Sequence, residues 1–458
     1  MDLIEEEFVN KKIGILGYGV EGIATDKYLA KHGHEAIIFD RLESDEFFKK
    51  HQAISSKRKV FLGESYLNHL AEAEIIFKAP GIPVLWPEIQ AAIRGGAILT
   101  SQTEFFLNHC PTPIIGVTGT KGKGTTSTLI ANILEESGKR VFLGGNIGLA
   151  AITFLDQVTK DSIVVLELSS FQLQALTKSP HIAVVLNITQ DHLDYHKTVS
   201  EYRKAKKNIV KYQTGDDIAI INADYKSLDS FKNATKAEYL YFSKKKTTNG
   251  CYVDSDENII LMTEVGPVLI AKVNELLLRG RHNLENVTAA ILAGYTAGAK
   301  IESIQDVVKN FRGLEHRLER VGDSAGVTYY NDSFSTTPET TIAAIKSFTE
   351  PIILIVGGSS KNSDYSELGR LIGRSKVKAA IFIGETAEKI SDSIGGDYRG
   401  KKIFGLTKMQ DIVKVTRELS ASGDIVLLSP ACASFGLFQD YKDRGNQFKK
   451  CVEKTLHK

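Results

Sequence analysis

A glycine-rich stretch, GVTGTKGKGTTSTL at residues 116–129, carries residue types that bind phosphate. It follows an apolar run and indicates a strand that turns through glycines into a helix, where backbone N–H groups converge on phosphate oxygens. Lys123 supplies an ammonium for the terminal phosphoryl groups, and a threonine after it can supply the hydroxyl that Mg²⁺ needs. The strict pattern G-x-x-x-x-G-K-[ST] is not met, since Val117 replaces a glycine and Gly124 delays the hydroxyl by one residue. A plain strand-to-helix turn would not require that lysine, so we predict a nucleotide loop.

A second glycine cluster lies near the start of the chain. Gly17, Gly19 and Gly22 form G-x-G-x-x-G directly after an apolar run, and Asp40 ends the next apolar run. This arrangement is typical of nicotinamide dinucleotide binding, but it is a weak signal alone, and the glycines of a tightly packed turn give the same pattern. The cluster therefore predicts a nucleotide or nucleotide-like ligand and leaves its kind open.

Three further side chains could complete a phosphate-transfer site. Glu167 interrupts the apolar run VVLELSS, where a carboxylate requires either a cation such as a metal ion or a salt bridge. His192 follows a strand-like segment in LNITQDHLDYH and could be a ligand, although a turn histidine beside a helix-capping Asp191 is the more ordinary interpretation. Lys206 lies one helical turn after Tyr202 in EYRKAKKN, and this spacing favours a solvated basic face.

Short apolar, β-branched runs alternate with helix-like stretches along the chain, which predicts an α/β fold with parallel sheets covered on both faces. Ligands of such sheets bind at the carboxyl ends of strands. Glycine or polar clusters occur at these ends near residue 17, near residue 119, and near residues 357 and 430, so we expect three modules. The three predicted domains are residues 1–109, 110–313 and 314–458.

The composition narrows the classes of ligand. The 458 residues include 57 Lys+Arg and 55 Asp+Glu, a net charge of +2, which offers no broad basic surface for nucleic acid. Four cysteines are scattered without a C-x-x-C pair, so neither a zinc site nor a disulfide framework is expected. The first residues lack a secretory signal and no run of 18 apolar residues occurs, so we expect a cytoplasmic protein, with no membrane partner, that binds small molecules.

Ten segments occur in order between residues 116 and 448: GVTGTKGKGTT, GGNIG, LELSSFQL, NITQDHLDYH, EYRKAK, GRHNLENVTAA, LEHRLE, YYNDSFSTTPE, LLSPACAS and DYKDRGNQF. Together they resemble the Mur ligase family, the ATP-dependent amide-forming enzymes of peptidoglycan synthesis. LELSSFQL, and SPACAS with RGNQF, are similar to the branch of the family that adds D-glutamate. The first module matches more loosely, mainly through its glycine turn and KAPGIP at residues 78–83.

The resemblance implies three domains: a Rossmann-like N-terminal domain, a central P-loop ATPase-like domain and a Rossmann-like C-terminal domain. It implies a ligase, expected to be a monomer, that uses ATP and Mg²⁺ to join D-glutamate to UDP-N-acetylmuramoyl-L-alanine through an acyl phosphate. The first glycine cluster would then bind the uridine diphosphate of the substrate rather than a nicotinamide cofactor. Lys206 would be carbamylated by CO₂, which replaces its ammonium with a carboxylate-like metal ligand.

The resemblance also implies which residues form each subsite. Those with catalytic roles would be Lys123, Glu167, His192 and Lys206. Those that bind Mg²⁺ would be Thr125, Glu167, His192 and Lys206. Those that bind ATP would be Gly119, Thr120, Lys121, Gly122, Lys123, Gly124, Thr125, Thr126, Asn283, Asn286, Arg317 and Asp332. Those that bind the uridine-nucleotide substrate would be Gly17, Gly19, Gly22, Asp40, Arg41, Asn146, Ser169 and Gln172. Those that bind the incoming amino acid would be Thr336, Lys361, Ser434 and Tyr441.

Two positions depart from the family pattern. Phe334 stands where a lysine usually follows Asp-Ser, and Ser359 stands where an acidic residue is expected after Gly-Gly. Both positions lie close to where family members contact phosphate and ATP. They leave the identity of the accepted amino acid open, so a Mur-type ligase that adds a different amino acid remains an alternative.

Three other functions remain as alternatives. Folylpolyglutamate synthase has the same G-T-x-G-K-G-[ST] loop, but it begins near that loop, whereas a whole module precedes Gly116 here. An oxidoreductase would use the first glycine cluster and would bind a reduced nicotinamide. A non-catalytic protein would bind the sugar nucleotide without consuming ATP, which the presence of Lys123, Glu167, His192 and Lys206 argues against.

Overall fold

Three mostly parallel sheets follow one another along the chain, each built from the apolar, β-branched runs that the sequence predicts as strands. The computed structural model describes residues 7–55, 57–245, 247–360, 363–396 and 398–456. Central strands such as β1, β6 and β17, defined below, are buried along their whole length. The predicted α/β fold is confirmed.

The first sheet has five parallel strands in the order β3-β2-β1-β4-β5. These strands are β1 (Ile13–Leu16), β2 (Ile37–Asp40), β3 (Val60–Leu62), β4 (Ile75–Lys78) and β5 (Ile98–Thr100). The helices are α1 (Val20–Lys31), α2 (Ser44–Lys50), α3 (Pro87–Arg94) and α4 (Gln102–His109), with a 3-10 helix at Tyr66–Glu72. The strand order changes direction between β1 and β4, which is where parallel sheets bind nucleotides. The first glycine cluster follows β1 and so lies at this point.

The second sheet has nine strands in the order β14-β13-β12-β11-β10-β9-β6-β8-β7. They are β6 (Ile114–Thr118), β7 (Arg140–Gly145), β8 (Ser162–Glu167), β9 (Ile182–Val185), β10 (Ile218–Asn222), β11 (Glu238–Ser243), β12 (Cys251–Val253), β13 (Asn258–Thr263) and β14 (Gly266–Lys272). Strands β6 to β12 pair in parallel, while β12, β13 and β14 pair antiparallel. The phosphate-loop strand β6 is therefore flanked by β8 and β9 in the middle of the sheet.

The helices of this stretch connect the parallel strands or follow β14 in the chain. They are α5 (Lys123–Glu136), α6 (Ser170–Leu173), α7 (Leu193–His196), α8 (Val199–Lys211), α9 (Asp229–Lys232), α10 (Asn283–Thr296) and α11 (Ile301–Asn310). The 3-10 helices are Ala151–Gln157, Lys226–Leu228 and Val273–Glu275.

The third sheet has six strands in the order β15-β16-β20-β17-β18-β19, and only β15 and β16 pair antiparallel. They are β15 (Glu319–Ser324), β16 (Val327–Asn331), β17 (Ile352–Gly357), β18 (Val377–Ile383), β19 (Lys401–Ile403) and β20 (Ile425–Leu428). The helices are α12 (Pro338–Ile345), α13 (Ser366–Arg374), α14 (Ala387–Asp392), α15 (Met409–Leu419) and α16 (Tyr441–Leu456). The adjacent carboxyl ends of β16 and β20 bring the loops that follow them side by side.

The chain divides into two compact units. The first unit comprises Met1–Asn274 and Glu285–Val308, and contains the first two sheets, while the second unit comprises Glu275–Leu284 and Lys309–Lys458. The predicted domain boundaries after residues 109 and 313 fall between regular elements and stay predictions. Over the part of the chain that the structure describes, no helix combines the length and apolarity needed to cross a bilayer.

Candidate active site

The glycine-rich stretch forms the predicted strand, loop and helix. Strand β6 is wholly buried, the loop follows Thr118, and helix α5 begins at Lys123. Gly122 has φ +87°, which other residues adopt only under strain, and a Cβ there would overlap the side-chain oxygen of Asn286. Lys123 Nζ donates to the carbonyl oxygens of Gly119 (3.2 Å) and Thr120 (3.4 Å), so its ammonium lies over the loop.

Asn187, which the sequence analysis did not single out, braces the phosphate loop. Its carbonyl oxygen accepts from the Thr120 N–H (2.7 Å), and its side-chain oxygen accepts from the Lys121 N–H (3.3 Å). The Thr120 hydroxyl lies 2.9 Å from the Tyr202 hydroxyl and accepts from the Thr189 N–H (3.0 Å). Two of the loop N–H groups predicted to bind phosphate are thus engaged by protein oxygens, and Asn187 had no sequence signal beyond its place after a strand.

A hydrogen bond connects the threonines that follow Lys123 to helix α10. Thr126 Oγ1 donates to Asn286 Oδ1 (3.3 Å), and both side chains are buried. Thr125 is also buried, one residue closer to Lys123. The structure therefore brings Asn286 to the phosphate loop. Asn283 Nδ2 donates to the Arg279 carbonyl oxygen (2.7 Å), within the second unit.

Lys206 is not on a solvated face, so the prediction drawn from its spacing is wrong. The residue is 1% exposed, and Nζ donates to Thr118 Oγ1 (3.1 Å) and to the Gly119 carbonyl oxygen (3.0 Å). Burial, and then the nearby charge of Lys123, lower the pKa of Lys206 well below its usual range. Helical spacing could not reveal this, because it does not say which face of α8 meets the sheet.

Glu167 ends strand β8 next to the phosphate loop. Its partner across the sheet is Val117 of β6, so the two strands end at the same edge. The carboxylate is buried and accepts from Asn146 Nδ2 (2.7 Å), while the Glu167 carbonyl oxygen accepts from the Asn146 N–H (2.8 Å). Gly145 has φ +98°, and a Cβ there would overlap the Glu167 backbone. The recorded partner of this carboxylate is thus an amide, which leaves it able to bind a cation.

His192 lies on the segment after β9, the other neighbour of β6. It precedes helix α7 with φ +50°, and its ring is half exposed at 4.8 Å from the ring of Phe171. Asp191 Oδ1 accepts the His192 N–H (3.1 Å), so this aspartate orders the turn. Among the described residues, no three His, Cys, Asp or Glu side chains form a ready metal site. Mg²⁺ needs few protein ligands because it keeps several waters, and the oxygens of Glu167 and Thr125 are of the kind it prefers.

Backbone conformation and close packing account for Gly17 and Gly22 of the first glycine cluster. Gly17 has φ +90°, and a Cβ on Gly22 would overlap the Gly17 carbonyl oxygen. Asp40 accepts from the backbone N–H groups of Tyr18 (2.7 Å) and Leu42 (3.0 Å), so both of its oxygens are engaged. Gly19 is different, because it caps helix α1 with open space around it. A helix N-terminus of this kind can bind an anion. The exposed side chain of Arg41 follows Asp40 at the same strand end.

Glu21, another residue that the sequence analysis missed, connects the first two sheets. Its carboxylate accepts from Gln102 Nε2 (3.1 Å) and Gln172 Nε2 (2.8 Å), and burial raises its pKa. Gln172 Oε1 in turn accepts from the Ser169 N–H (3.0 Å) and hydroxyl (3.1 Å), which caps helix α6. Ser169 and Gln172, the predicted substrate-binding residues, therefore form one network with helix α1. No pattern signals this contact, because its partners are far apart in sequence.

Hydrogen bonds from two side chains fix the segment KAPGIP at residues 78–83. Lys78 Nζ donates to the carbonyl oxygens of Ala79 (2.8 Å) and Ile82 (2.8 Å), and Tyr195 OH donates to those of Pro80 (3.2 Å) and Ile82 (3.2 Å). Burial lowers the pKa of Lys78 to about 8. The loop after β4 is thereby fixed against the segment that carries His192.

In the second unit, Asp332 follows strand β16 and is 4% exposed. Its side chain accepts from the Leu318 N–H (3.1 Å) and from the Ser429 hydroxyl (2.7 Å), and burial raises its pKa to about 6. The guanidinium carbon of Arg317 lies 3.9 Å from the ring centroid of Phe334. The structure therefore places Arg317 and Asp332 on neighbouring segments.

Buried Arg444 joins the two loops that carry the predicted amino-acid-binding residues. It donates to Ser333 Oγ (2.9 Å), to the Ser333 carbonyl oxygen (2.9 Å) and to the Cys432 carbonyl oxygen (3.3 Å). Ser333 Oγ also donates to the Tyr441 carbonyl oxygen (2.8 Å). Sequence analysis used RGNQF to recognise the family but assigned this arginine no role.

The remaining predicted residues of this subsite are only partly described. Thr336 is half-buried after β16, and Ser434 is buried after β20. Lys361 lies outside the described residues. The Ser359 N–H donates to the Ala433 carbonyl oxygen (2.9 Å), and its buried hydroxyl has no hydrogen-bond partner in the described part of the chain.

Family models match three successive stretches of the chain. These are the "Mur ligase MurD-like, N-terminal domain" at residues 11–101, the "Mur ligase middle domain" at residues 117–294 and the "Mur ligase, glutamate ligase domain" at residues 316–432. The three matches follow the order of the three sheets.

Curated relatives are similar over nearly the whole chain. A protein of Acetivibrio thermocellus named "UDP-N-acetylmuramoylalanine--D-glutamate ligase" is 38% identical, over 98% of this chain and 97% of its own length. A protein of the same name from Clostridium kluyveri is 39% identical, over 96% of each chain.

Solved structures show the same fold at low sequence identity. MurF from Acinetobacter baumannii has a TM-score of 0.61 at 16% identity, covering 97% of this chain and 93% of that one. MurF ligase from Thermotoga maritima in complex with ADP has a TM-score of 0.57 at 18% identity, covering 98% and 96%. The predicted three-domain arrangement is thereby confirmed at the level of fold.

Proposed function

Because the chain belongs to the Mur ligase family, we propose that it is the ATP-dependent ligase that joins D-glutamate to UDP-N-acetylmuramoyl-L-alanine in peptidoglycan synthesis. One observation carries the choice of D-glutamate: relatives with that activity in their name are 36–39% identical over nearly the full chain. The phosphate loop, with Glu167 beside it and Lys206 beneath it, supports the use of ATP.

The reaction begins when the carboxylate of the sugar nucleotide attacks the terminal phosphorus of ATP. ADP leaves, and a mixed carboxylic-phosphoric anhydride forms. The uncharged amine of D-glutamate then attacks the acyl carbon, the tetrahedral intermediate expels phosphate, and the amine proton is lost to solvent. The first step brings two anions together, so positive charge and N–H donors at the phosphates must offset their repulsion. Lys123 and the glycine loop supply these groups.

Mg²⁺ would neutralise charge on the phosphates. We propose Thr125, Glu167, His192 and carbamylated Lys206 as its protein ligands. The buried Glu167 carboxylate supports this set, since its recorded partner is the amide of Asn146 and not a cation. The hydroxyl of Thr125 suits a magnesium ion as well.

The surroundings of Lys206 support the proposed carbamylation. Only an uncharged amine attacks CO₂, and the attack yields a carbamate and releases one proton. Burial of Lys206 lowers its pKa and so favours the uncharged amine. The carbamate would add an anionic oxygen ligand close to Thr118 and Gly119.

The carbamate is tested by chemical rescue. Lys206→Ala should lose activity and regain part of it when a short carboxylic acid is added, because that acid restores the missing anionic group. Lys204→Ala, an exposed lysine on the same helix, is the matched control and should keep full activity. Absence of rescue would leave the carbamate unsupported.

The residues of the other subsites are also proposed from the resemblance to the Mur ligase family. The open N-terminus of α1 at Gly19, with Gly17, Gly22, Asp40 and Arg41, would bind uridine diphosphate. The residues nearest the muramoyl group would be Asn146, Ser169 and Gln172. Asn283 and Asn286 would lie near adenine, and Arg317 and Asp332 would contact phosphate and ribose. The residues that bind D-glutamate would be Thr336, Lys361, Ser434 and Tyr441. We propose a cytoplasmic monomer, which gel filtration of the purified protein would test.

Three experiments test the reaction. ADP release with UDP-N-acetylmuramoyl-L-alanine should depend on D-glutamate when D- and L-amino acids are compared, and a different preferred amino acid would overturn the assigned substrate. If the carboxylate of the sugar nucleotide carries a heavy oxygen isotope, one labelled oxygen should appear in the released phosphate. Lys123→Ala should slow ADP formation by at least about 10² to 10³-fold while uridine-nucleotide binding persists.

A further inference from the structure

Phe334 is one of the two departures from the family pattern, and the proposed reaction gives it no role. It follows Asp332 and Ser333 at the end of β16, and its side chain is 38% exposed. We propose that Phe334 is a positioning residue, whose ring face holds the guanidinium of Arg317 in the orientation that binds ATP phosphate. The proposal rests on the proposed function, in which Arg317 contacts phosphate.

The contact has the geometry of a cation–π interaction. The Arg317 guanidinium carbon lies 3.9 Å from the Phe334 ring centroid, well within the range of about 6 Å over which such pairs attract. A planar guanidinium can stack on a ring and still direct its N–H groups outward in a fixed plane. The ring is itself supported, because the Tyr441 ring meets it edge-to-face at 5.1 Å and 89°.

The backbone around Arg317 is also fixed. His316 and Leu318, on either side of it, have φ of +63° and +45°, and residues with side chains adopt such values only when the surroundings impose them. The Leu318 N–H donates to Asp332 Oδ1 (3.1 Å), and the Phe334 N–H donates to the His316 carbonyl oxygen (3.0 Å). The backbone thus sets where the arginine side chain starts, and the Phe334 ring contacts the guanidinium at its other end.

A lysine at position 334 would act in the opposite sense on the arginine. It would replace the attracting ring face with a second positive charge, and like charges repel. The aromatic ring attracts the guanidinium instead and adds no charge.

Fluorination of the ring tests the proposal directly. Replacing Phe334 with mono-, di- and trifluorophenylalanine changes the ring's size little but removes the negative potential of its face in steps. The affinity of the full-length protein for a non-hydrolysable ATP analogue with Mg²⁺, measured by calorimetry, should fall at each step and reach about a two- to five-fold loss. The same series at Phe435, an exposed aromatic residue on the loop after β20, is the matched control and should leave the affinity unchanged.

If Phe334 acted through packing alone, the affinity for the ATP analogue would not depend on the electrostatic potential of the ring face. An affinity that stays constant across the Phe334 series therefore overturns the proposal. Phe334→Trp should bind the analogue at least as tightly as the parent, and Phe334→Leu more weakly; the reverse order also overturns it. Loss of D-glutamate-dependent ADP release in the unmodified protein, with ATP binding intact, would refute the proposed function instead. The binding series would then still show whether the ring orients Arg317.

Discussion

Gly122→Ala should disrupt the phosphate loop through two separable effects. Gly122 has φ +87°, which strains any residue with a Cβ. The added Cβ would also overlap Asn286 Oδ1, and would lie 3.1 Å from Asn286 Cγ and 3.3 Å from Leu186 Cδ1. Asn286 must then move away, which breaks its hydrogen bond from Thr126.

The size of each effect follows from its cause. The left-handed conformation costs an alanine about 1–2 kcal/mol. Overpacking at Asn286 adds about 1–3 kcal/mol, and loss of the hydrogen bond adds about 1 kcal/mol. Gly138 provides the control at the other end of helix α5, because its φ of +82° is similar and no atom lies within 4 Å of an added Cβ. Gly138→Ala should therefore show only the conformational cost.

Urea unfolding, followed by the fluorescence of the single tryptophan, Trp86, measures these differences in the first unit. Gly122→Ala should lower the free energy of unfolding by at least about 2 kcal/mol more than Gly138→Ala. When Asn286 is also replaced by alanine, the additional loss of unfolding free energy for Gly122→Ala over Gly138→Ala should largely disappear, because the overlapping oxygen is gone. Equal losses for the two alanines, or an excess that persists without Asn286, would refute the overlap as the cause.

Two further predictions concern buried charged groups of the second unit. Burial raises the pKa of Asp332 to about 6, above its unfolded value, so the folded state binds the proton more tightly. Stability should therefore fall as pH rises from about 4 to above 6, by at most about 3 kcal/mol. Asp332→Asn should flatten this profile in urea unfolding followed by far-UV circular dichroism, because Trp86 lies in the first unit and does not report on this one. Arg444→Ala should destabilise the unit by about 3 kcal/mol in the same assay, because it leaves oxygens of Ser333 and Cys432 without donors, and Arg444→Lys should recover only part of the loss. Wild-type stability of Arg444→Ala, or a pH profile of stability that Asp332→Asn leaves unchanged, would contradict these accounts.

The strands and the phosphate loop could be predicted because their signals are local. Buried parallel strands need uninterrupted apolar runs, and a loop that approaches phosphate needs glycines beside a lysine, so both can be recognised from residues close together in the chain. The α/β fold and the place of Lys123 at the start of helix α5 followed from these signals.

Lys206 shows where local pattern fails. Its helix has a basic sequence, and only the packing of α8 against β6 buries this amine and lowers its pKa. The contacts of Asn187, Glu21 and Arg444 were likewise unpredictable, because each joins groups that are remote in sequence and carry no spacing signal. The sequence by itself determined which residue types are present at each strand end. The tertiary structure decided which of them lose water and which partners they meet, and desolvation and close partners are what set the charge of a side chain.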